Sequence, residues 1–248
     1  YTIMYSNGYI FRYAAIMVIV AAALLSTAAM FLKPFQEKNR AIEKMGSILI
    51  SADIKDVETE QTISTFNQYV VEALIVDSEG TIVDSYTEGV MQESKAFEID
   101  LKKELYKKSK SEKFALPLYV VEKEGVKTYV IPMRGSGLWG PVYGNMALAE
   151  DLNTIVGVTF DHDGETPGLG AEITTPMFTK QFIGKKIFDE QGNFTSIKVV
   201  KGGAKTLPQP EQIHAVDAIS GGTITSNGVG DMIQNVIESY EPYFKKQK

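Results

Sequence analysis

Residues 13–32 (YAAIMVIVAAALLSTAAMFL) form a long apolar run without Asp, Glu, Lys, Arg or His. About 20 apolar residues suffice to cross a bilayer as a helix. The apolar core of a cleaved signal peptide is shorter, roughly 7–15 residues. The run therefore predicts a retained transmembrane helix after a flank at residues 1–12. The chain begins with Tyr1 rather than Met, so further residues are expected ahead of it. After Pro34 the pattern changes. Ala41, Ile42, Met45, Ile48 and Leu49 form a helical stripe among charged residues. That spacing predicts a connecting helix over residues 33–50. Residues 51–248 then read as one domain, with room for a small inserted lobe.

Within that domain, apolar runs come in pairs around turn residues. Residues 73–76 and 81–83 flank Asp77-Ser78-Glu79-Gly80, and residues 118–121 and 128–131 flank Glu124-Gly125. Both read as hairpins. Residues 142–148, 154–160 and 194–200 are further predicted strands. Helical spacing recurs near residues 63–71, 101–108, 171–182 and 229–240. Strands paired in hairpins predict an α+β body with a mostly antiparallel sheet.

Composition adds exclusions. The net charge is −6 and no basic tail is present. The lysine-rich run from Lys102 to Lys113 is interleaved with glutamates, as on a solvated helix face, which argues against nucleic-acid binding. No glycine fingerprint of a dinucleotide fold follows a strand. The chain has no cysteine, which is compatible with an oxidising compartment. Arg12 precedes the apolar run, whereas Lys33, Lys38, Arg40 and Lys44 follow it. A literal positive-inside count puts the body in the cytoplasm, although long domains cross largely regardless of charge. Ion pathways use intramembrane carboxylates and cations; this run has none, so it is not expected to carry an ion itself. Ala22, Ser26 and Ala29 define a small-residue face that suits packing against another membrane helix, or simply reflect the commonness of alanine there.

Asp217-Ala218-Ile219-Ser220-Gly221-Gly222-Thr223 is a small, hydroxyl-rich stretch just before a helical pattern of Val229, Ile233, Val236, Ile237 and Tyr240. Its glycines allow close backbone approach. Thr225, Ser226 and Asn227 each suit the N-cap of that helix. A helix N-terminus offers free N–H groups and favours an anion, so a phosphate on Thr223 is electrostatically well placed. By residues alone the stretch reads first as an ordinary capped turn, since short Gly/Ser/Thr motifs are weak signals. Asp163 to Gly170 (DGETPGLG) is a second glycine-rich loop, following a predicted strand. Gly135-Ser136-Gly137-Leu138-Trp139-Gly140 is a third; it holds the single tryptophan. Lys201-Gly202-Gly203 follows a strand, and its ammonium suits a phosphate or an exposed turn. His162 and His214 lack a clustered ligand pattern and read as structural, leaving no candidate metal site.

The 217–223 stretch resembles the acceptor motif at which a flavin transferase attaches FMN to threonine by a phosphoester bond. With Ile224-Thr225-Ser226-Asn227-Gly228-Val229, the GETPGLG loop, the glycine–tryptophan turn and the single anchor, nearly the whole chain resembles the C subunits of the bacterial Na+-translocating NADH:quinone oxidoreductase. One departure is Gly222, where members of that family have Ala. The resemblance implies a covalent FMN on Thr223, with Ser220, Gly221, Gly222 and Thr225 around the attachment. Glu165, Thr166, Gly168, Leu169 and Gly170 would line the flavin, Trp139 would stack near its ring, and Lys201 would face phosphate or reduced flavin. It implies an electron relay, not an NADH site, among other subunits of a membrane complex that reduces quinone while moving sodium. It also implies a body on the periplasmic side of the inner membrane. A related possibility is the G subunit of an Rnf-type ferredoxin:NAD+ oxidoreductase. A flavin-free membrane-anchored adaptor is the alternative of another class.

Overall fold

The structure, a computed structural model, describes residues 6–247. Residues 1–5 of the expected N-terminal flank lie outside the described residues. The chain divides into two compact units, Tyr1–Glu43 and Lys44–Lys248.

The first unit consists of helix α1 (Asn7–Ser51) up to Glu43. Pro34 lies inside this helix and does not end it. Its apolar stretch is long enough to cross a membrane, and none of that stretch is covered by protein. Thr27 Oγ1 donates to the Ala23 carbonyl at 2.7 Å, so this hydroxyl needs no water.

The second unit starts with the last turns of α1, whose Met45, Ile48 and Leu49 are buried. Helix α2 (Thr62–Tyr69) leads into strands β1 (Val70–Asp77) and β2 (Ile82–Tyr86). Asp77 Oδ1 accepts the N–H groups of Glu79 and Thr81, which closes their hairpin. Helix α3 (Lys95–Glu98) and helix α4 (Leu101–Ser109) follow. Asp100 caps α4 by accepting from the N–H groups of Lys102 and Lys103. Strands β3 (Ala115–Lys123) and β4 (Val126–Ser136) are joined by Glu124 and Gly125, both at positive φ. Two such residues match the right-handed twist of a two-residue hairpin. Strands β5 (Pro141–Leu148) and β6 (Ile155–His162) complete an antiparallel sheet of six strands in the order β2-β1-β3-β4-β5-β6.

Residues 171–182, expected as one helix, form instead most of a 3-10 turn (Gly170–Thr174), the short helix α5 (Pro176–Thr179) and another 3-10 turn. Pro176 is the cause: it holds Thr175 in an extended conformation, and the helix can only start afresh after it. The strand expected over 194–200 shrinks to β7 (Lys198–Val200), which pairs in parallel with β8 (Ala215–Asp217). Helix α6 (Thr223–Glu238) and helix α7 (Glu241–Gln247) end the fold.

Alternation along the strands sorts the side chains onto two faces. Leu74, Val76, Leu118, Val120, Ile131 and Met133 join one buried cluster with Val229, Met232, Ile233 and Val236 of α6. On the other face Tyr119 packs edge-on against Phe66 of α2, at 6.2 Å between ring centres. There Ser47 Oγ also sits 2.8 Å from Thr159 Oγ1 and accepts from Asn145 Nδ2. The unit is thus an α+β body with helices on both faces of a mostly antiparallel sheet.

Candidate functional site

Three loops meet at one end of this sheet, and strand direction explains why. The turn at residues 137–140 joins β4 to β5, with Ser136 paired to Pro141. The loop at 163–169 leaves β6 beside it, since His162 pairs with Val142. The third loop, 218–222, delivers the N-terminus of α6 to the same place. Gly228 is packed so tightly on the Ser136 carbonyl that a β-carbon there would collide with it.

Helix α6 starts earlier than its apolar spacing predicts. Gly222, not Thr225, Ser226 or Asn227, is the N-cap, and Thr223 is the first helical residue. The hydroxyls expected to cap the helix are used otherwise. Ser226 Oγ donates back to Gly222 O at 2.8 Å and accepts the Ile219 N–H at 3.0 Å, lacing the loop to the helix. Thr225, 1% exposed, donates to Glu165 Oε2 at 2.5 Å. Thr223 is half-buried and its hydroxyl enters no hydrogen bond of this network. The first intrahelical bond runs from Ser226 N to Gly222 O. The N–H groups of Thr223, Ile224 and Thr225 therefore lie in the unpaired first turn.

Glu165 connects the loops. Its side chain is buried. Oε1 accepts the Trp139 N–H at 2.8 Å, and Oε2 accepts the Thr225 hydroxyl. Burial by itself raises the carboxyl's pKa. The hydrogen bonds from Thr225 and from the N–H groups of Trp139, Leu138 and Gly140 outweigh it and hold the group below its usual value. Gly137 and Gly170 flank the carboxylate, and a β-carbon at either would collide with it. Glu165 N donates to His162 Nδ1 at 3.2 Å, which gives that histidine a structural task.

Around this anchor the remaining predicted residues are displayed. Trp139 is 69% exposed, so it is not a core tryptophan. Leu138, Leu169 and Ile224 are exposed too, giving the three loops an apolar surface suited to a flat ring. Thr166 and Gly168 are exposed in the second loop, where Thr166 O accepts the Leu169 N–H at 3.1 Å. Ser220 is exposed, and Gly221 has φ +77° against the Leu169 side chain. Lys201 is exposed at the end of β7, beside the Asp217 end of β8, and takes no part in the Glu165 network. Asp217 itself ties that turn down, Oδ1 accepting the Ala204 N–H at 2.6 Å. The linking role of Glu165 has no signature in sequence spacing, since Thr225 lies 60 positions away. The glycines at 137 and 170 are its trace.

Residues 137–238, which contain all three loops, match the family model of the FMN-binding domain. The fold and the site thus define a protein with an FMN-binding domain behind a helix long and apolar enough to cross a membrane. The C subunit of the Na(+)-translocating NADH-quinone reductase from Vibrio campbellii is 34% identical over 226 residues, covering 85% of this chain and 83% of its own. The C subunit from Neisseria meningitidis serogroup A is 34% identical over 239 residues, covering 93% and 90%. A crystal structure of the C subunit from Parabacteroides distasonis superposes with a TM-score of 0.72 at 35% identity, covering 88% of this chain and 98% of that one. The chain belongs to the family of C subunits of the Na+-translocating NADH-quinone reductase, an enzyme complex of several subunits.

Proposed function

We propose that the chain relays single electrons through an FMN bound covalently to Thr223 by a phosphoester bond. The observation that carries this reading is the contrast among the hydroxyls of the first turn of α6, Thr223, Thr225 and Ser226. Thr225 is buried and committed to Glu165, and Ser226 is committed to Gly222 and Ile219. Thr223 is reachable and stands at the first position of α6. A phosphate there gains from the free N–H groups and partial positive charge of the helix end. In the attachment, Thr223 Oγ1 bonds to the FMN phosphorus, the bond to the donor's leaving group breaks, and the hydroxyl proton departs. A flavin transferase would supply the activated donor. The flavin carries the redox chemistry; the protein holds it and exposes it to neighbouring subunits.

The family relationship supports a role between other redox centres of the complex, with quinone reduction and sodium movement as outcomes of the whole assembly. It also supports a body on the periplasmic side of the inner membrane. The names of the relatives favour this complex over an Rnf-type one. The test is a denaturing gel viewed under ultraviolet light, with the chain made alongside a flavin transferase. A fluorescent band is expected, with a mass gain of one FMN less water. Thr223→Ala should abolish both. A band persisting in Thr223→Ala would overturn the assignment of this residue.

A further inference from the structure

Glu165 is a buried anion whose neighbours are all donors. The Trp139 N–H donates to one of its oxygens and the Thr225 hydroxyl to the other, with the backbone of Leu138 and Gly140 adding favourable dipoles. Among the described residues no lysine, arginine or histidine adds to this set as a charged partner. A protonated carboxyl could be met only by reversing the Thr225 hydroxyl, at the loss of the bond it donates, so the array favours the ionised form. Gly137 and Gly170 seal the carboxylate on either side. Its charge is thus balanced by dipoles alone.

We propose that Glu165 is the positioning residue of the flavin site: its carboxylate locks the 137–140 turn to the first turn of α6, and its fixed negative charge lowers the midpoint potential of FMN carried on Thr223. The second half rests on the Thr223 reading above. Thr225, the partner of Glu165, is two residues from Thr223 on the same helical turn. Reduction adds negative charge to a flavin, and a like charge nearby disfavours that change. Glu165 therefore shapes the site before the flavin arrives and tunes the flavin afterwards, without forming any bond to it.

Two substitutions separate geometry from charge. Glu165→Gln keeps the shape and one acceptor oxygen; the Thr225 hydroxyl can reverse to face the amide. Full-length Glu165→Gln made with the transferase should still carry covalent FMN, and its midpoint potential should shift upward from the parent's. An unchanged potential in the loaded variant overturns the tuning role. Glu165→Ala removes both functions and should lose most of its covalent flavin. The positioning role is also tested without flavin, in the Thr223→Ala background, by amide hydrogen exchange. There Glu165→Ala should speed exchange selectively at residues 138–140 and in the first turn of α6. Uniform protection across both variants overturns it. Should Glu165→Ala fail to fold, Thr225→Val breaks the same link while keeping the charge. It should speed exchange at 138–140 with no upward shift in potential, and an upward shift like that of Glu165→Gln would refute the assignment to charge. A parent chain without covalent FMN would sink the Thr223 reading alone and leave the exchange result standing.

Discussion

Gly222 is pressed against Leu169: a β-carbon on Gly222 would stand 2.8 Å from the Leu169 carbonyl oxygen. It would also lie 3.1 Å from Ile219 Cγ2. The contact joins the loop before α6 to the loop after β6. Gly222 has φ −107°, so the requirement is for space and not for a left-handed backbone. Gly222→Ala should therefore destabilise the domain by about 1–3 kcal/mol through overpacking. It also replaces a tolerated N-cap by a poor one. Denaturant unfolding of the two proteins measures this; equal or greater stability for the alanine variant would show that the Leu169 backbone yields freely.

Thr225→Val removes the hydroxyl bonded to Glu165 and leaves a buried carboxylate short of a donor. Hydrogen bonds to charged groups contribute about 1.5–3 kcal/mol. A loss of that size is expected in unfolding free energy. Thr223→Ala, by contrast, should change stability by less than about 0.5 kcal/mol, because its hydroxyl has no such bond. Reversal of this order would mean that the hydroxyls are not partitioned as described.

Glu165 should make stability pH-dependent in a defined direction. Its folded-state pKa lies below the ordinary glutamate value. Its contribution is thus fully present above that value and is lost as the pH falls through the folded pKa. The stability gap between the parent and Glu165→Gln should narrow on acidification below about pH 4.3, the ordinary glutamate value. A gap that stays constant down to pH 3 would contradict an ionised Glu165.

Ser196 presents the opposite case. It has φ +57°, is 3% exposed, and its Oγ has no hydrogen-bond partner. Both features cost stability. Ser196→Gly relieves the backbone and removes the orphan hydroxyl, at the cost of extra freedom in the unfolded chain. A net gain of about 1 kcal/mol is expected in thermal or denaturant unfolding. Ser196→Ala keeps the strained backbone and should gain less. A glycine variant less stable than the alanine variant would refute the strain argument.

Much of the fold was legible because local signals agreed with it. The Glu124-Gly125 turn marks its hairpin, and short apolar runs on either side of turn residues mark the central strands. The pattern misled where a single residue outweighed it. Pro176 divides an apolar helical stretch into short turns. The early start of α6 was hidden because residues 223–228 contribute little to its apolar stripe. Thr225 and Gly228 are instead buried by contact with Glu165 and Ser136, both distant in sequence. The candidate site was legible as three motifs but not as one object. Glycines at 137 and 170 read only as members of two loop motifs, whereas they make room for a carboxylate. The resemblance to known relatives pointed at the loops; only the folded chain brings Glu165 into contact with two of them.

Trp139 is the chain's only tryptophan, and it is exposed on the turn that Glu165 holds. All indole fluorescence of this protein therefore originates at one rim of the loop cluster. The emission is a built-in optical gauge: wet and red-shifted while the ring faces water, and dimmed by energy transfer once a yellow chromophore lies beside it. Occupancy, docking of a neighbouring subunit over this rim and local loosening of the turn can all be followed without attaching a dye.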